Sequence, residues 1–327
     1  MKLNFLLIAI LLAASPLCAA PSSSTARVAR EDGQDDTGRA QRTVAAEPNV
    51  LVTVCIASGD VIAHGWDRAE VRASTADAEQ LELRRGTPTG SGPASSVEVL
   101  VANGPDTGHE LESDCNAASD ITLDVPRGAT VQIKTRDGAI EVMDVADARV
   151  ESLSGDVALR HIAKRVEASS VSGDVSLEGS SGPVRLHSIS GSVEASNART
   201  IETTDDFEAN TVSGGVILAQ IAHSHVEAWT VSGMVSMKSP LARGGRYEFK
   251  TTSGDIMLSL PNDASFRISA RILGRGEILT DFPLKDAGGT NHSAPRGQLL
   301  TGTYGTGDAA LNLYSYSGTV HLRRNPR

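Results

Sequence analysis

Along most of its length the chain repeats one phrase: apolar, Ser, Gly, any residue, apolar, any residue, apolar. Clear copies run Leu153–Leu159, Val171–Leu177 and Ile189–Ala195. Further copies centre on Gly214, Gly233, Gly254 and Gly318, with looser ones around Gly59 and Gly138. From Gly138 through Gly155, Gly173, Gly191, Gly214, Gly233 and Gly254 the steps are 17, 18, 18, 23, 19 and 21 residues. After each glycine, apolar and polar residues alternate, as in Val157-x-Leu159, Val175-x-Leu177 and Ile256-x-Leu258. A period of two means a strand with one buried face. Glycine at a fixed place before each strand fits a turn that needs positive φ or close backbone approach. The flanking Ser and Asp can satisfy turn amides with their short side chains.

A single coil of this kind cannot bury its apolar side, whereas stacked coils bury it and pair every strand edge. The pattern therefore predicts an all-β, single-domain parallel β-solenoid (β-helix) with about 18–20 residues per coil. Val157, Val175, Val193, Val216, Val235 and Ile256 would form one ladder along its axis, with rungs about 4.8 Å apart. A β-sandwich is the structural rival, but its strands should recur without a fixed kernel. Handedness stays open, with right-handed crossovers favoured on general grounds. Between Asn49 and Val125 the copies are poor, yet Val50–Ile56, Val97–Val101 and Ile121–Val125 alternate as strands. This stretch reads as a less regular N-terminal cap, with a loop at Gly86–Gly92. Leu284–Gly307 reads as a Gly-rich C-terminal insertion, after which Tyr316–Leu322 closes the stack.

The start of the chain looks different. Lys2, the apolar run Leu3–Ala14, Pro16 and the small residues Cys18-Ala19-Ala20 have the layout of a secretory signal over residues 1–20. Its apolar run is short for a membrane span. Lipidation at Cys18 is disfavoured by the bulky Leu17 before it. Residues 21–48 are polar and read as a disordered linker, leaving 49–325 as the domain. No later segment is long and apolar enough to span a membrane. Export leaves Cys55 and Cys115, which are expected to form a disulfide outside the cytoplasm; two unpaired buried cysteines are the alternative.

Composition narrows the function classes. Aromatics are only 3% of the chain, so an aliphatic core is expected. The formal net charge of -10 disfavours nucleic acid and anionic membranes as partners.

Several motifs resemble a known family. Gly65-Trp66-Asp67 with Glu70-Val71, the strand end Leu123-Asp124-Val125-Pro126, and the Ser-Gly-Asp-Val turns are similar to the bacterial adhesin-like β-strand-repeat family, domain of unknown function 4097. The resemblance covers about Val50 to Leu322 and implies an exported, envelope-associated β-solenoid with no shared catalytic residues. Ser192, Gly215, Met234 and Thr319 stand where the family pattern has Asp, and the C-terminal insertion is a further departure.

Candidate chemistry is sparse. Asp60, Asp156, Asp174 and Asp255 could line up for calcium, but the four replacements break the row and turn-satisfying aspartates are the better reading. His223-x-His225 would set two imidazoles on one strand face, too few for zinc unless Asp205 or Asp206 joins them. His161 and His187 read as surface residues. A polysaccharide-active β-helix enzyme would need paired carboxylates and a sugar platform, and Trp229 is the best isolated aromatic for one. No nucleophile elbow, P-loop or dinucleotide fingerprint occurs in the right context. The expectation is a non-catalytic adhesin-like module without metal or cofactor, periplasmic, surface-located or secreted, that binds an unknown envelope protein or glycan. The alternatives are an assembly scaffold of the envelope and the polysaccharide enzyme.

Overall fold

The computed structural model describes residues 33–34, 40–75, 80–86, 92–102, 115–288 and 297–325. The expected signal at 1–20, with Cys18, lies outside the described residues, as do 87–91 of the expected Gly86–Gly92 loop. Within the described residues the chain is all-β and β-solenoid-like, with mostly parallel pairing between 26 strands.

The N-terminal strands are β1 (Gly33–Gln34), β2 (Ala40–Ser58), β3 (Val61–Trp66), β4 (Glu70–Thr75), β5 (Gln80–Gly86), β6 (Ala94–Ala102) and β7 (Ile121–Pro126). The regular middle comprises β8 (Thr130–Asp137), β9 (Ile140–Met143), β10 (Asp147–Ser154), β11 (Val157–Ile162), β12 (Arg165–Ser172), β13 (Val175–Ser181) and β14 (Val184–Ser188). It continues with β15 (Val193–Arg199), β16 (Asp206–Ser213), β17 (Val216–Ala219), β18 (His225–Ser232), β19 (Val235–Lys238), β20 (Arg246–Ser253) and β21 (Ile256–Pro261). The end holds β22 (Phe266–Ile272), β23 (Gly276–Thr280), β24 (Lys285–Gly288), β25 (Gln298–Tyr304) and β26 (Ala309–Asn325).

Each rung is one strand in sheet B, a Ser-Gly corner, and one strand in sheet A. Even-numbered strands from β8 to β20 stack in parallel in sheet B, and odd-numbered strands from β9 to β21 in sheet A. The expected ladder is in register, with Val157 on Val175, Val175 on Val193, Val193 on Val216, Val216 on Val235 and Val235 on Ile256. The inward residues form one continuous aliphatic core. The rings expected to be missing from it do appear in the C-terminal half, where Phe207, Tyr247, Phe249 and Phe266 are fully buried. These large side chains coincide with the longer coils that follow Gly191.

A second bend lies at or near the end of the sheet A strands from β9 to β17. Asp144 and Gln220, just after β9 and β17, adopt φ of 58° and 54°, and His161, Gly179 and Asn197, within β11, β13 and β15, have 52°, 69° and 57°. These polar residues tolerate the left-handed region better than β-branched ones.

Both ends depart from sequence order. In sheet B, β2 lies between β6 and β8; in sheet A, β3 lies between β7 and β9. The chain thus begins on the second rung, builds the outer β6–β7 rung, and returns to β8. At the other end β26 lies between the β20–β21 rung and the β22–β23 rung. The last kernel therefore does not close the stack. Its Gly318 continues the glycine column on Gly254, and the Thr319 amide donates to Asp255 at 2.7 Å. The β22–β23 corner, Leu273-Gly274-Arg275-Gly276, lacks the Ser-Gly kernel and takes the outer place.

Two boundaries move as well. The strand β2 begins at Ala40, so residues 40–48 are not linker; 40–45 pair antiparallel with β4. The apolar Val44 and Ala46 are buried, which holds this segment on the sheet. The stretch read as a C-terminal insertion contributes β24 and β25: β25 caps β22 by antiparallel pairing, and β24 pairs antiparallel with β25.

Candidate binding face on the outer side of sheet B

The corner glycines Gly59, Gly138, Gly155, Gly173, Gly191, Gly214, Gly233, Gly254 and Gly318 stand in one column. Close approach is the constraint they share. A Cβ on Gly173 would lie 2.2 Å from the carbonyl oxygen of Gly155, although Gly173 is outside the left-handed region.

The kernel aspartates satisfy turn amides, as expected, and those amides belong to the neighbouring rung. Asp156 accepts from the Asp174 amide at 2.9 Å and Asp174 from the Ser192 amide at 2.7 Å. Asp60 likewise accepts from the Ala139 amide at 2.8 Å. These carboxylates are engaged one rung apart, and among the described residues no group of three His, Cys, Asp or Glu side chains could hold a metal.

A hydroxyl three residues before each glycine from Gly138 onward forms a second column. Ser188, Thr211 and Thr230 donate to the glycine carbonyl one rung back, at 2.9, 2.7 and 2.9 Å. The sequence carries this signal, Ser or Thr at a fixed offset in every kernel from Gly138 onward, but the motif reading did not use it.

The outer face of sheet B is built from the residues between the buried ones. Counting back from the glycine, the third, fifth and seventh residues point inward, so the apolar residue two before it must point out. Leu153, Val171, Ile189 and Val231 are 49%, 39%, 40% and 39% exposed, with Val212 half-buried between the last two. The column continues through Thr252 to Tyr316 and Leu273, which are 58% and 42% exposed. Beside it runs a polar and aromatic column: Lys134, Glu151, Ser169, His187, Asn210, Trp229, Lys250, Tyr314 and Arg271. Trp229 is half-exposed on this face and not buried in the core. The position of β26 brings Tyr314 and Tyr316 to the same face as Trp229, and the Arg271 guanidinium lies 6.0 Å from the Tyr314 ring centre.

Ion pairs cross the rungs on this face: Lys134–Glu151 at 2.9 Å, Arg149–Glu167 at 2.6 Å and Lys250–Glu227 at 3.2 Å. Lys250 also hydrogen-bonds Glu248, which lowers the glutamate's pKa and raises that of the lysine. A shallow depression of about 210 Å³ opens among Arg149, Glu167, Arg185, His187, Glu208 and Asn210. Asn210 is 5% exposed, its amide nitrogen donates to Glu208 at 2.6 Å, and its Oδ1 has no partner.

The histidine pair is not on one strand face. His223 precedes β18 and is fully buried, with Nε2 2.9 Å from the Gly182 carbonyl, while His225 is exposed and 2.8 Å from Asp206. Burial pushes the His223 pKa below its usual value. His161 is on the surface as expected, and His187 is half-buried. Cys55 and Cys115 form the expected disulfide, tying β2 to the segment before β7. Trp66 donates its indole N–H to the Glu70 carbonyl at 2.9 Å, between the guanidiniums of Arg68 and Arg72 at 4.9 and 4.7 Å from the ring. Arg72 reaches Asp124 at 2.6 Å, so the motif residues around Trp66 and Asp124 brace the cap. No helix is long and apolar enough to cross a membrane among the described residues.

No curated protein matches the chain. A crystal structure of a "putative cell adhesion protein" from Clostridium sporogenes matches with 9% identity, covering 88% of this chain and 100% of its own, at a TM-score of 0.21; at that score it carries no weight here. The Toastrack DUF4097 family model matches residues 115–323, from the segment before β7 to near the end of β26. With that match spanning more than half its length, and with the stacked Ser-Gly corners that fill the matched region, the chain belongs to the Toastrack DUF4097 family.

Proposed function

We propose that this chain is a non-catalytic, exported binding module: a parallel β-solenoid of about 18–20 residues per coil whose sheet B outer face engages an envelope protein or glycan. One observation carries the reading. The repeat keeps an aliphatic residue at a solvent-facing position through five successive rungs, Leu153 to Val231, although that position contributes nothing to the interior. A contiguous exposed apolar stripe rimmed by polar residues marks an interaction surface. Trp229, Tyr314 and Tyr316 extend it with the large, amphipathic side chains that anchor interfaces.

Other features favour the face over an edge or a catalytic cleft. The edge strand β23 has its Ile278 amide bonded to the Gln298 side chain at 3.0 Å, which blunts it as a template for strand addition. Glu167 and Glu208 line the depression but are held by Arg149 and Arg185, at 2.6 and 3.7 Å. Export accords with the disulfide and with the leader-like start.

The test is retention of the purified chain on intact envelope fractions. Val171→Glu with Val231→Glu should abolish retention, whereas Ile217→Glu, on the outer face of sheet A, should leave it unchanged. Equal retention of all three proteins would refute the reading.

A further inference from the structure

Resting on the reading of this face as an interaction surface, but giving it a different occupant, we propose that the outer side of sheet B seats a second copy of this chain, with the two solenoid axes antiparallel. A twofold axis along the strand direction, midway between β16 and β18, reverses the order of rungs but keeps each column opposite itself. It sets β16 against the partner's β18, β14 against β20, β12 against β26 and β10 against β22.

Four observations converge on this arrangement. The first is the apolar column. In this register Val212 meets Val231, Val171 meets Tyr316, and Leu153 meets Leu273. Only Ile189 meets a polar residue, Thr252. Two ladders with the same rung spacing are commensurate by construction, which lets aliphatic side chains interdigitate as in dry β interfaces.

The second is charge. Glu151 comes opposite Arg271, and Arg185 opposite Glu248. Glu208 and Glu227 come together near the axis, but each already has its own cation, Arg185 at 3.7 Å and Lys250 at 3.2 Å. Parallel axes with matched rungs would instead set like residues against each other.

The third is the ring at the centre. Trp229 is half-exposed on this face, and the twofold sets it over the partner's β16. Two large amphipathic side chains of the kind that anchor interfaces then lie within one rung of the axis.

The fourth is size. Eight rungs of about 4.8 Å and three columns cover a strip of roughly 34 by 14 Å. In projection that is about 480 Å², below the ~800 Å² that a standard interface takes from each partner, which suits a weak, concentration-dependent dimer.

Sedimentation of the exported chain, recovered from a secreting host, tests the proposal. The wild type should show a concentration-dependent monomer–dimer equilibrium. Val231→Asp should leave only monomer, with an unchanged melting curve because the position is exposed. Glu151→Arg and Arg271→Glu should each weaken the dimer about tenfold, and the double reversal should restore it. A monomer at every concentration overturns the proposal, as does a double reversal no better than either single change. The envelope assay separates the two ideas. A monomeric wild type that still loses envelope retention on Val231→Asp sinks the dimer and keeps the binding face. A dimer broken by Val231→Asp with envelope retention unchanged keeps the dimer and removes the face from envelope binding.

Discussion

The carboxylate of Asp156 accepts the backbone amide of Asp174, one rung further on, at 2.9 Å. This bond joins rungs through a side chain in addition to the strand ladders, and it recurs where the kernel has Asp. Asp174→Ala should remove the acceptor for the Ser192 amide and destabilise by about 1 kcal/mol in urea unfolding. Asp174→Asn, which keeps an acceptor oxygen, should cost less. Equal loss for both would mean that hydrogen bonding is not what the carboxylate contributes.

The hydroxyl column makes a paired prediction. Thr230 donates to the Gly214 carbonyl from a buried position, so Thr230→Val should cost about 1–2 kcal/mol. Ser152 sits in the same column, but its Oγ has no partner. Ser152→Ala should therefore be neutral or slightly stabilising by the same measurement.

Close approach at the corner predicts that Gly173→Val destabilises by at least about 1 kcal/mol, because the new Cβ would fall 2.2 Å from the Gly155 carbonyl oxygen. Strain in φ is not the cause at this position. Thermal melting would detect the change, and an unaltered curve would contradict the glycine column.

Burial lowers the His223 pKa below 6.5 in the folded chain. The unfolded chain then binds the proton more readily, so the neutral ring's contribution is present above 6.5 and is lost as pH falls through the folded value. The melting temperature should start to drop as the pH falls below 6.5, before the carboxylates begin to titrate. His223→Leu should flatten that part of the profile, and a profile unchanged by the substitution would contradict the assignment.

Reducing the Cys55–Cys115 disulfide, whose ends are 60 residues apart, should lower stability by about 4 kcal/mol on the chain-entropy account. Cys115→Ser should reproduce that loss in urea unfolding without dithiothreitol.

Much of the fold was legible because the kernel fixes two things locally. The glycine spacing gives the coil length, and the alternation after it gives the inward face. The Val157-to-Ile256 ladder follows directly, whereas the disulfide comes from a different signal, the two cysteines that export would leave. The outward column was legible too, by counting alternation back from Val150 to Leu153, but an apolar residue reads by default as core. Three features depended on distant pairing. Residues 40–48 look like linker until β4 supplies a partner strand. The order of the last two rungs rests on a contest between a kernel corner at Gly318 and a kernel-free one at Gly274. The aromatic face exists only once that contest is decided.

The account turns on β26 lying between β20 and β22, because that placement alone sets Tyr314 between Lys250 and Arg271. Paired cysteines tested for disulfide formation in the folded chain would check it directly. Lys250→Cys with Tyr314→Cys should cross-link readily, as adjacent rungs require, while Lys250→Cys with Arg271→Cys, two rungs apart, should not. Efficient cross-linking of the second pair and failure of the first would mean that the stack follows the sequence and that Tyr314 and Tyr316 do not sit next to Lys250 and Thr252, which removes the register of the aromatic extension and leaves only the Leu153–Val231 stripe.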